Sequence, residues 1–125
     1  SDNGGTVEFK KLQNRKVSKV VVPKTVMING YQFNVSSVGK KAFYKNNRIK
    51  KVTISSNIIE IGKYGFAGCK NLKKITIKSK GISKIGKKAF AKINKRAIFD
   101  IPKSKARKYK KMIKKASAPS GSKYR

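Results

Sequence analysis

The 125-residue chain has no histidine, one cysteine and four carboxylates. Without histidine, neither a Cys/His metal set nor a histidine base for a nucleophile is available. The single cysteine, Cys69, excludes an intramolecular disulfide. A glycosidase-type pair or a hard-metal cage needs convergent carboxylates, and those of this chain are dispersed: Asp2, Glu8, Glu60 and Asp100. We therefore predict that the protein is not an enzyme and has no catalytic residues, metal site or cofactor.

Long apolar runs are also missing. No stretch approaches the ~20 apolar residues that a transmembrane helix needs, so we expect no transmembrane segment. The chain opens with Ser1-Asp2-Asn3-Gly4-Gly5 and shows no signal peptide. We interpret this start as the cut edge of a longer protein.

Negative charge is scarce as well, since 34 Lys and Arg face 4 Asp and Glu for a net charge of +30. Such a surface attracts polyanions: nucleic acid, anionic wall polymers, acidic lipid headgroups or acidic glycans. The alternative is a solvated surface that keeps the protein soluble. Only five of the basic residues are arginine, the side chain that reads guanine edges bidentately, which argues against recognition of bases.

A six-residue phrase is present three times: at Val38-Gly39-Lys40-Lys41-Ala42-Phe43, Ile61-Gly62-Lys63-Tyr64-Gly65-Phe66 and Ile85-Gly86-Lys87-Lys88-Ala89-Phe90. The phrases start 23 and 24 residues apart, a period typical of a solenoid of stacked repeats. Nine and eleven residues after each Phe comes an apolar pair, which predicts a short strand with one face in the core. The pairs are Val52 and Ile54, Ile75 and Ile77, and Phe99 and Ile101.

The flanking segments predict different elements. Val20 and Val22 match the Val52 and Ile54 positions, and Asn29-Gly30 between apolar runs predicts a β-hairpin. Val7-Glu8-Phe9 is a further candidate strand. Near the other end, a helix from Lys105 to Ala116 is predicted by apolar residues on one face and an N-cap at Ser104. Those apolar residues are Ala106, Tyr109, Ile113 and Ala116.

These elements divide the chain into four parts. We predict an N-terminal cap with a β-hairpin over residues 1–37 and repeats over residues 38–102. A C-terminal capping helix follows over residues 103–116. The last part, residues 117–125, contains three Ser together with one Gly, one Pro and one Lys and is predicted to be a flexible tail.

The repeat stands most fully from Ile61 to Ile77, as Ile61-Gly62-Lys63-Tyr64-Gly65-Phe66-Ala67-Gly68-Cys69-Lys70-Asn71-Leu72-Lys73-Lys74-Ile75-Thr76-Ile77. This pattern resembles the BspA-type leucine-rich repeats of bacterial surface proteins, over roughly residues 17 to 116. The resemblance implies an α/β repeat fold: a short, right-handed leucine-rich-repeat solenoid with its strands on the concave side. It also implies a secreted or cell-surface bacterial protein that acts by binding.

The outward side of two repeat strands is the candidate binding surface. Stacked strands lie ~4.8 Å apart, so equivalent residues form rows of lysines flanking hydroxyls that suit sulfate, phosphate or carboxylate groups. The alternative is a solvated polar face. The candidate ligand-binding residues are Lys51, Thr53, Ser55, Lys74, Thr76 and Lys78.

Other conspicuous side chains are interpreted as packing. Cys69 matches Asn46 and Ile93 in the repeat and is predicted to be a buried, structural thiol. Phe43, Phe66 and Phe90 share the register of the apolar ladder, which favours the core over base stacking. The five tyrosines, at 31, 44, 64, 109 and 124, are the better candidates for exposure.

The leading hypothesis is a non-enzymatic extracellular binding or adhesion module that favours anionic partners. Its partner would be a host or bacterial surface macromolecule, either a protein or a polyanionic polymer, and we expect the module to be a monomer. Two alternatives stay open: nonspecific nucleic-acid binding, for which no recognition motif is present, and a purely structural terminal module of a larger adhesin.

Overall fold

The computed structural model describes residues 2–11 and 16–125, with the side chains of the first strand given from Gly5 onward. It contains two sheets of short strands and one short helix. In chain order the elements are β1 (Asp2–Phe9), β2 (Lys19–Val22), β3 (Thr25–Ile28), β4 (Tyr31–Val38), β5 (Lys51–Ile54), β6 (Glu60–Ile61), β7 (Lys74–Ile77), β8 (Lys84–Ile85), β9 (Ile98–Asp100), α1 (Ala106–Lys115) and β10 (Lys123–Tyr124).

The strands form two five-stranded sheets. The first has the order β1-β4-β6-β8, all parallel, with β3 antiparallel to β4. The second has the order β2-β5-β7-β9-β10 and is parallel throughout. Because each repeat adds a strand to both sheets, the chain coils upon itself as a leucine-rich repeat.

The second sheet holds the strands that the apolar pairs predict. Val52 pairs with Val20 on one side and with Ile75 on the other, and Ile75 pairs with Phe99. All four side chains are buried. The predicted repeat strands are therefore confirmed, and their alternate residues face away from the core.

The three Gly-containing phrases form stacked turns. Phe66 lies between Phe43 and Phe90, with ring centroids 4.9 and 5.5 Å apart and nearly parallel planes, and Phe9 covers Phe43 at 5.2 Å. Cys69 is buried, and its Sγ donates to the Phe43 carbonyl at 2.9 Å. The prediction that these side chains are core is confirmed.

Backbone hydrogen bonds join successive turns in continuous columns. In the first column, the Lys45 N–H donates to the Ala67 carbonyl. The peptide unit that contains this carbonyl also contains the Gly68 N–H, which donates to the Ala91 carbonyl. A second column runs from the Lys41 N–H through peptide unit 63–64 to the Lys87 carbonyl. A third runs from the Phe43 N–H through 65–66 and 89–90 to the Ala116 carbonyl. All three columns point their N–H groups toward the C-terminal coil.

The hairpin predicted at Asn29-Gly30 is present as β3 and β4. Both turn residues have positive φ, 52° and 81°, as a type I′ turn requires. Val22 pairs with Ile54, and Val38 pairs with Ile61, so the stretches between them are equivalent parts of neighbouring coils. The stretch from Val22 to Val38 spans sixteen positions, whereas the stretch from Ile54 to Ile61 spans seven. The hairpin therefore lengthens one coil, and β1, which contains the predicted strand Val7-Glu8-Phe9, lies beyond it in the first sheet.

Helix α1 covers the predicted segment with two differences. Tyr109, Ile113 and Ala116 are buried, but Ala106 is exposed. Ser104 lies inside a 3₁₀ turn, and no side chain caps the helix. The prediction that Tyr109 is exposed was wrong. The Tyr109 hydroxyl is buried, where it donates to the Ser79 carbonyl at 2.7 Å and accepts from the Ile82 N–H at 3.0 Å.

Residues 117–125, for which the sequence predicts a flexible tail, contain strand β10. The Arg125 N–H donates to the Phe99 carbonyl at 2.8 Å, and the Tyr124 ring stacks on Phe99 at 5.4 Å. Partial burial also raises the pKa of the Tyr124 phenol. A two-residue strand in this Ser-rich segment has no periodicity that a sequence could show.

Gly86→Ala should destabilise the protein by about 1–3 kcal/mol, because a Cβ at this position would lie 2.5 Å from the Lys63 backbone nitrogen. Urea denaturation followed by circular dichroism would measure the change. Gly81→Ala is the control: its Cβ would meet nothing closer than 3.9 Å, so it should be neutral or stabilising by up to about 1 kcal/mol. Equal effects of the two substitutions would contradict tight coil packing at Gly86.

Candidate functional site

The outward residues of β5 and β7 stand side by side. Lys51 pairs with Lys74, and Thr53 pairs with Thr76. The lysines are exposed, whereas the threonines are half-buried between them. Because neighbouring strands lie ~4.8 Å apart, the four side chains form a compact face of two ammonium groups and two hydroxyls.

Ser55 and Lys78, the other two predicted site residues, lie just past the ends of these strands. Their backbone N–H groups continue the ladder, donating to the carbonyls of Val22 at 3.3 Å and Ile54 at 2.9 Å. Ser55 is half-buried and Lys78 is exposed. All six candidate residues therefore belong to one surface, which we call the lysine–threonine face.

The lysine–threonine face is wider than the sequence predicted. On β2, Lys19 pairs with Lys51, so three lysines stand in one row across β2, β5 and β7. The sequence contained this signal, because Val20 and Val22 already matched the repeat positions. Beyond Lys74 the row continues through Ile98 to Lys123 of β10. Lys123 was missed because its segment was interpreted as a flexible tail.

The electrostatics of this face are strongly one-sided. Directly opposed like charges destabilise a sheet, and Lys51 has a lysine on both sides. Among the described carboxylates, only Asp100 belongs to these rows, where it pairs with Thr76 at the C-terminal side. Glu8 and Glu60 lie in the other sheet. The part of the face around Lys51 would therefore be stabilised by an anion.

A second polar–aromatic cluster lies on the stacked turns. The Tyr44 and Tyr64 rings meet edge to face at 6.2 Å, and the Lys41 Nζ lies 5.3 and 5.9 Å from their centroids. These cation–π contacts already engage the Lys41 ammonium group. Both tyrosines are half-buried, so the exposure predicted for Tyr64 is only partial.

The hairpin tip carries an apolar surface, of which the sequence analysis predicted only the exposure of Tyr31. Met27, Ile28 and Tyr31 are 63%, 44% and 50% exposed. They lie directly before and after the Asn29-Gly30 turn, where β3 ends and β4 begins. Isolated apolar side chains are common on protein surfaces, so the exposure of these three does not by itself indicate a ligand.

The repeat pattern and the coiled sheets agree with a sequence model of the BspA type leucine rich repeat region, which matches residues 9–117 with six copies. The chain belongs to this family. The six copies exceed the three intact Gly-containing phrases, and the match starts at Phe9, where the aromatic stack also starts. A comparison with curated protein sequences finds no match.

Solved structures show the same fold. A leucine rich cell surface protein from Faecalibacterium prausnitzii is 24% identical with a TM-score of 0.64, over 78% of this chain and 29% of its own. A Treponema pallidum leucine rich repeat protein is 26% identical with a TM-score of 0.58, over 74% of this chain and 44% of its own. A Bacteroides ovatus leucine-rich repeat protein is 21% identical with a TM-score of 0.57, over 81% and 34%.

The BspA-type chain thus spans less than half the length of these solved leucine-rich repeat proteins. The family match is consistent with a protein-binding module. Within residues 2–11 and 16–125, no helix has the length and apolar character that crossing a membrane requires.

Lys51→Gln should stabilise the protein by about 0.2–1 kcal/mol, because it removes the middle charge of the Lys19–Lys51–Lys74 row. The gain should shrink as salt rises, since salt screens exposed charges. Urea denaturation at low and high salt would measure both effects. Lys80→Gln, at an exposed loop position, is the control, and an equal gain there would contradict local repulsion within the row.

Proposed function

We propose that this chain is part of a secreted or cell-surface bacterial protein that binds an anionic macromolecule through the lysine–threonine face. The observation that supports this proposal most directly is the in-register pairing of Lys51 with Lys74 and of Thr53 with Thr76. One face thereby repeats the same cation and the same hydroxyl from strand to strand. A polymer that repeats an anionic group matches such a surface.

The net charge of +30 supports an anionic partner over a neutral one. A cationic surface raises the local concentration of polyanions and the rate at which they associate. Lysine ammonium groups act as compact point charges that tolerate many anion geometries. The proposed partner is therefore a sulfated, phosphorylated or carboxylated polymer of a host or bacterial surface, or an acidic protein.

The threonines and Ser55 add directional contacts. A hydroxyl both donates and accepts hydrogen bonds, so it can hold an anionic oxygen between two ammonium groups or contact a neutral hydroxyl of a sugar. Because Thr53 and Thr76 are half-buried, their side chains have fewer conformations to lose on binding than the lysines have. We propose that they set the position of the ligand while the lysines supply attraction.

The architecture proposed for this module is a right-handed solenoid that binds as a monomer. The N-terminal cap is assigned to residues 1–37 and the repeats to residues 38–102. Helix α1, within residues 103–116, would close the other end together with β10. Burial of Tyr109 and Ile113 of α1 supports this assignment.

Immobilised heparin tests the proposal as a model sulfated and carboxylated polymer, with a purified anionic wall polymer as a second ligand. Retention measured across a salt series should fall steeply as salt rises. The triple variant Lys51→Gln, Lys74→Gln, Lys78→Gln should bind about tenfold more weakly, since each exposed charge contributes a few tenths to about 1 kcal/mol.

The matched control carries the same loss of charge on α1: Lys108→Gln, Lys111→Gln, Lys114→Gln, at three exposed positions. It should weaken binding by no more than about threefold. An equal loss in both variants would contradict the assignment to the lysine–threonine face. Absent or salt-insensitive binding would contradict an anionic partner, and tighter binding of oligonucleotides than of either polymer would point to nucleic acid instead.

A further inference from the structure

Two of the three hydrogen-bonded columns of the stacked turns end in a backbone N–H that has no acceptor among the described residues. In the first two coils, the N–H groups at Lys45 and Gly68 each donate to the next coil. In the third coil, the equivalent Lys92 N–H has no acceptor among the residues that the structure describes. The column through 87–88 ends in the same way at the Lys88 N–H, whereas the column between them ends on the Ala116 carbonyl.

These columns concentrate positive potential at their C-terminal end. Each peptide unit in a column accepts from the coil before it and donates to the coil after it, so the peptide dipoles align head to tail. Hydrogen bonds in such chains also strengthen one another. The unpaired N–H groups therefore resemble the first turn of an α-helix, where backbone donors and aligned dipoles bind anions.

Basic side chains surround this end. An open depression of about 750 Å³ is lined by Lys92 itself and by three other cationic residues, Lys70, Lys95 and Arg96, together with Ser117. The Arg96 backbone N–H donates a hydrogen bond to the Asn94 Oδ1 at 2.9 Å, which orders this turn. A guanidinium group on an ordered turn suits bidentate contacts with phosphate.

We propose that this depression binds a phosphate group. The Lys92 N–H would donate to one phosphate oxygen, Arg96 would donate to two, and the lysines would balance the charge. None of the six residues of the lysine–threonine face lines the depression, so the proposal is independent of the proposed polymer binding. The phosphate group belongs either to inorganic phosphate or to a terminal phosphomonoester.

The other end of the columns provides a built-in comparison. Arg48 in the first coil has the same local structure as Arg96, with its N–H bonded to the Asn46 Oδ1 at 2.9 Å. It lines a basic depression of about 300 Å³ with Lys16 and Lys45. At that end the Lys45 N–H is already used by the column, so the side-chain charges are present without the free backbone donor.

Two-dimensional ¹H–¹⁵N NMR tests the proposal by titrating the ¹⁵N-labelled chain with inorganic phosphate and, separately, with glycerol phosphate. Chloride keeps the ionic strength constant. The Lys92 amide should shift strongly and saturate, while the amides of Lys45 and Gly68, paired within the same column, should shift little. The ligand that saturates at the lower concentration identifies the source of the phosphate group.

Arg96→Gln should raise the phosphate dissociation constant about tenfold, as expected for the loss of a charge-assisted pair. Arg48→Gln removes the same charge at the other end and should change it by less than about twofold. Similar shifts at every basic turn, without saturation, would overturn the proposal, as would equal losses from both variants. Unchanged spectra elsewhere in each variant establish that the fold is intact.

Discussion

The close approach of successive turns is the constraint on which the rest of the structure depends. A Cβ at Gly62 would lie 2.6 Å from the Lys40 nitrogen, and one at Gly86 would lie 2.5 Å from the Lys63 nitrogen. Only glycine leaves room for the backbone there. This approach allows the turns to join in hydrogen-bonded columns and the rings of Phe43, Phe66 and Phe90 to stack between them.

The same constraint explains why the surface tolerates so much charge. The alternating strands bury one side chain in two, and the buried set is almost entirely aliphatic or aromatic. Stability therefore comes from the core and from coil-to-coil hydrogen bonds, which do not depend on surface residues. Lysines at positive φ, such as Lys41 and Lys88, show that even strained turn positions accept this residue when the stack determines the backbone.

The core and the strands could be predicted because their signal repeats. The alignment on Phe43, Phe66 and Phe90 placed Val52, Ile75 and Phe99 in one ladder, and the structure pairs them in that register. The lysine–threonine face could be predicted only as a geometric arrangement, since the outward positions of a strand follow from the inward ones. Whether the face binds a ligand does not follow from the register.

The parts that could not be predicted lie where the repeat stops. Strand β10 contributes two residues, and it exists because β9 offers an unpaired edge and Phe99 offers a ring for Tyr124 to cover. Tyr109 is buried because the loop at Ser79 and Ile82 presents both an acceptor and a donor to its hydroxyl. Both effects depend on contacts across 20 or more positions of sequence, which local patterns do not encode.

The end of the repeat also explains where chemistry can arise in such a molecule. Within the stack, the turn amides of the three columns donate to the carbonyls of the next coil. At the last coil the geometry of the turn persists, but α1 and the segment after it supply only the Ala116 carbonyl. A repeat thus creates backbone donors at its terminus as a consequence of its own regularity, with no need for a distinct motif. The terminal coil therefore differs from its neighbours in the pairing of its backbone N–H groups, even though it shares their conformation.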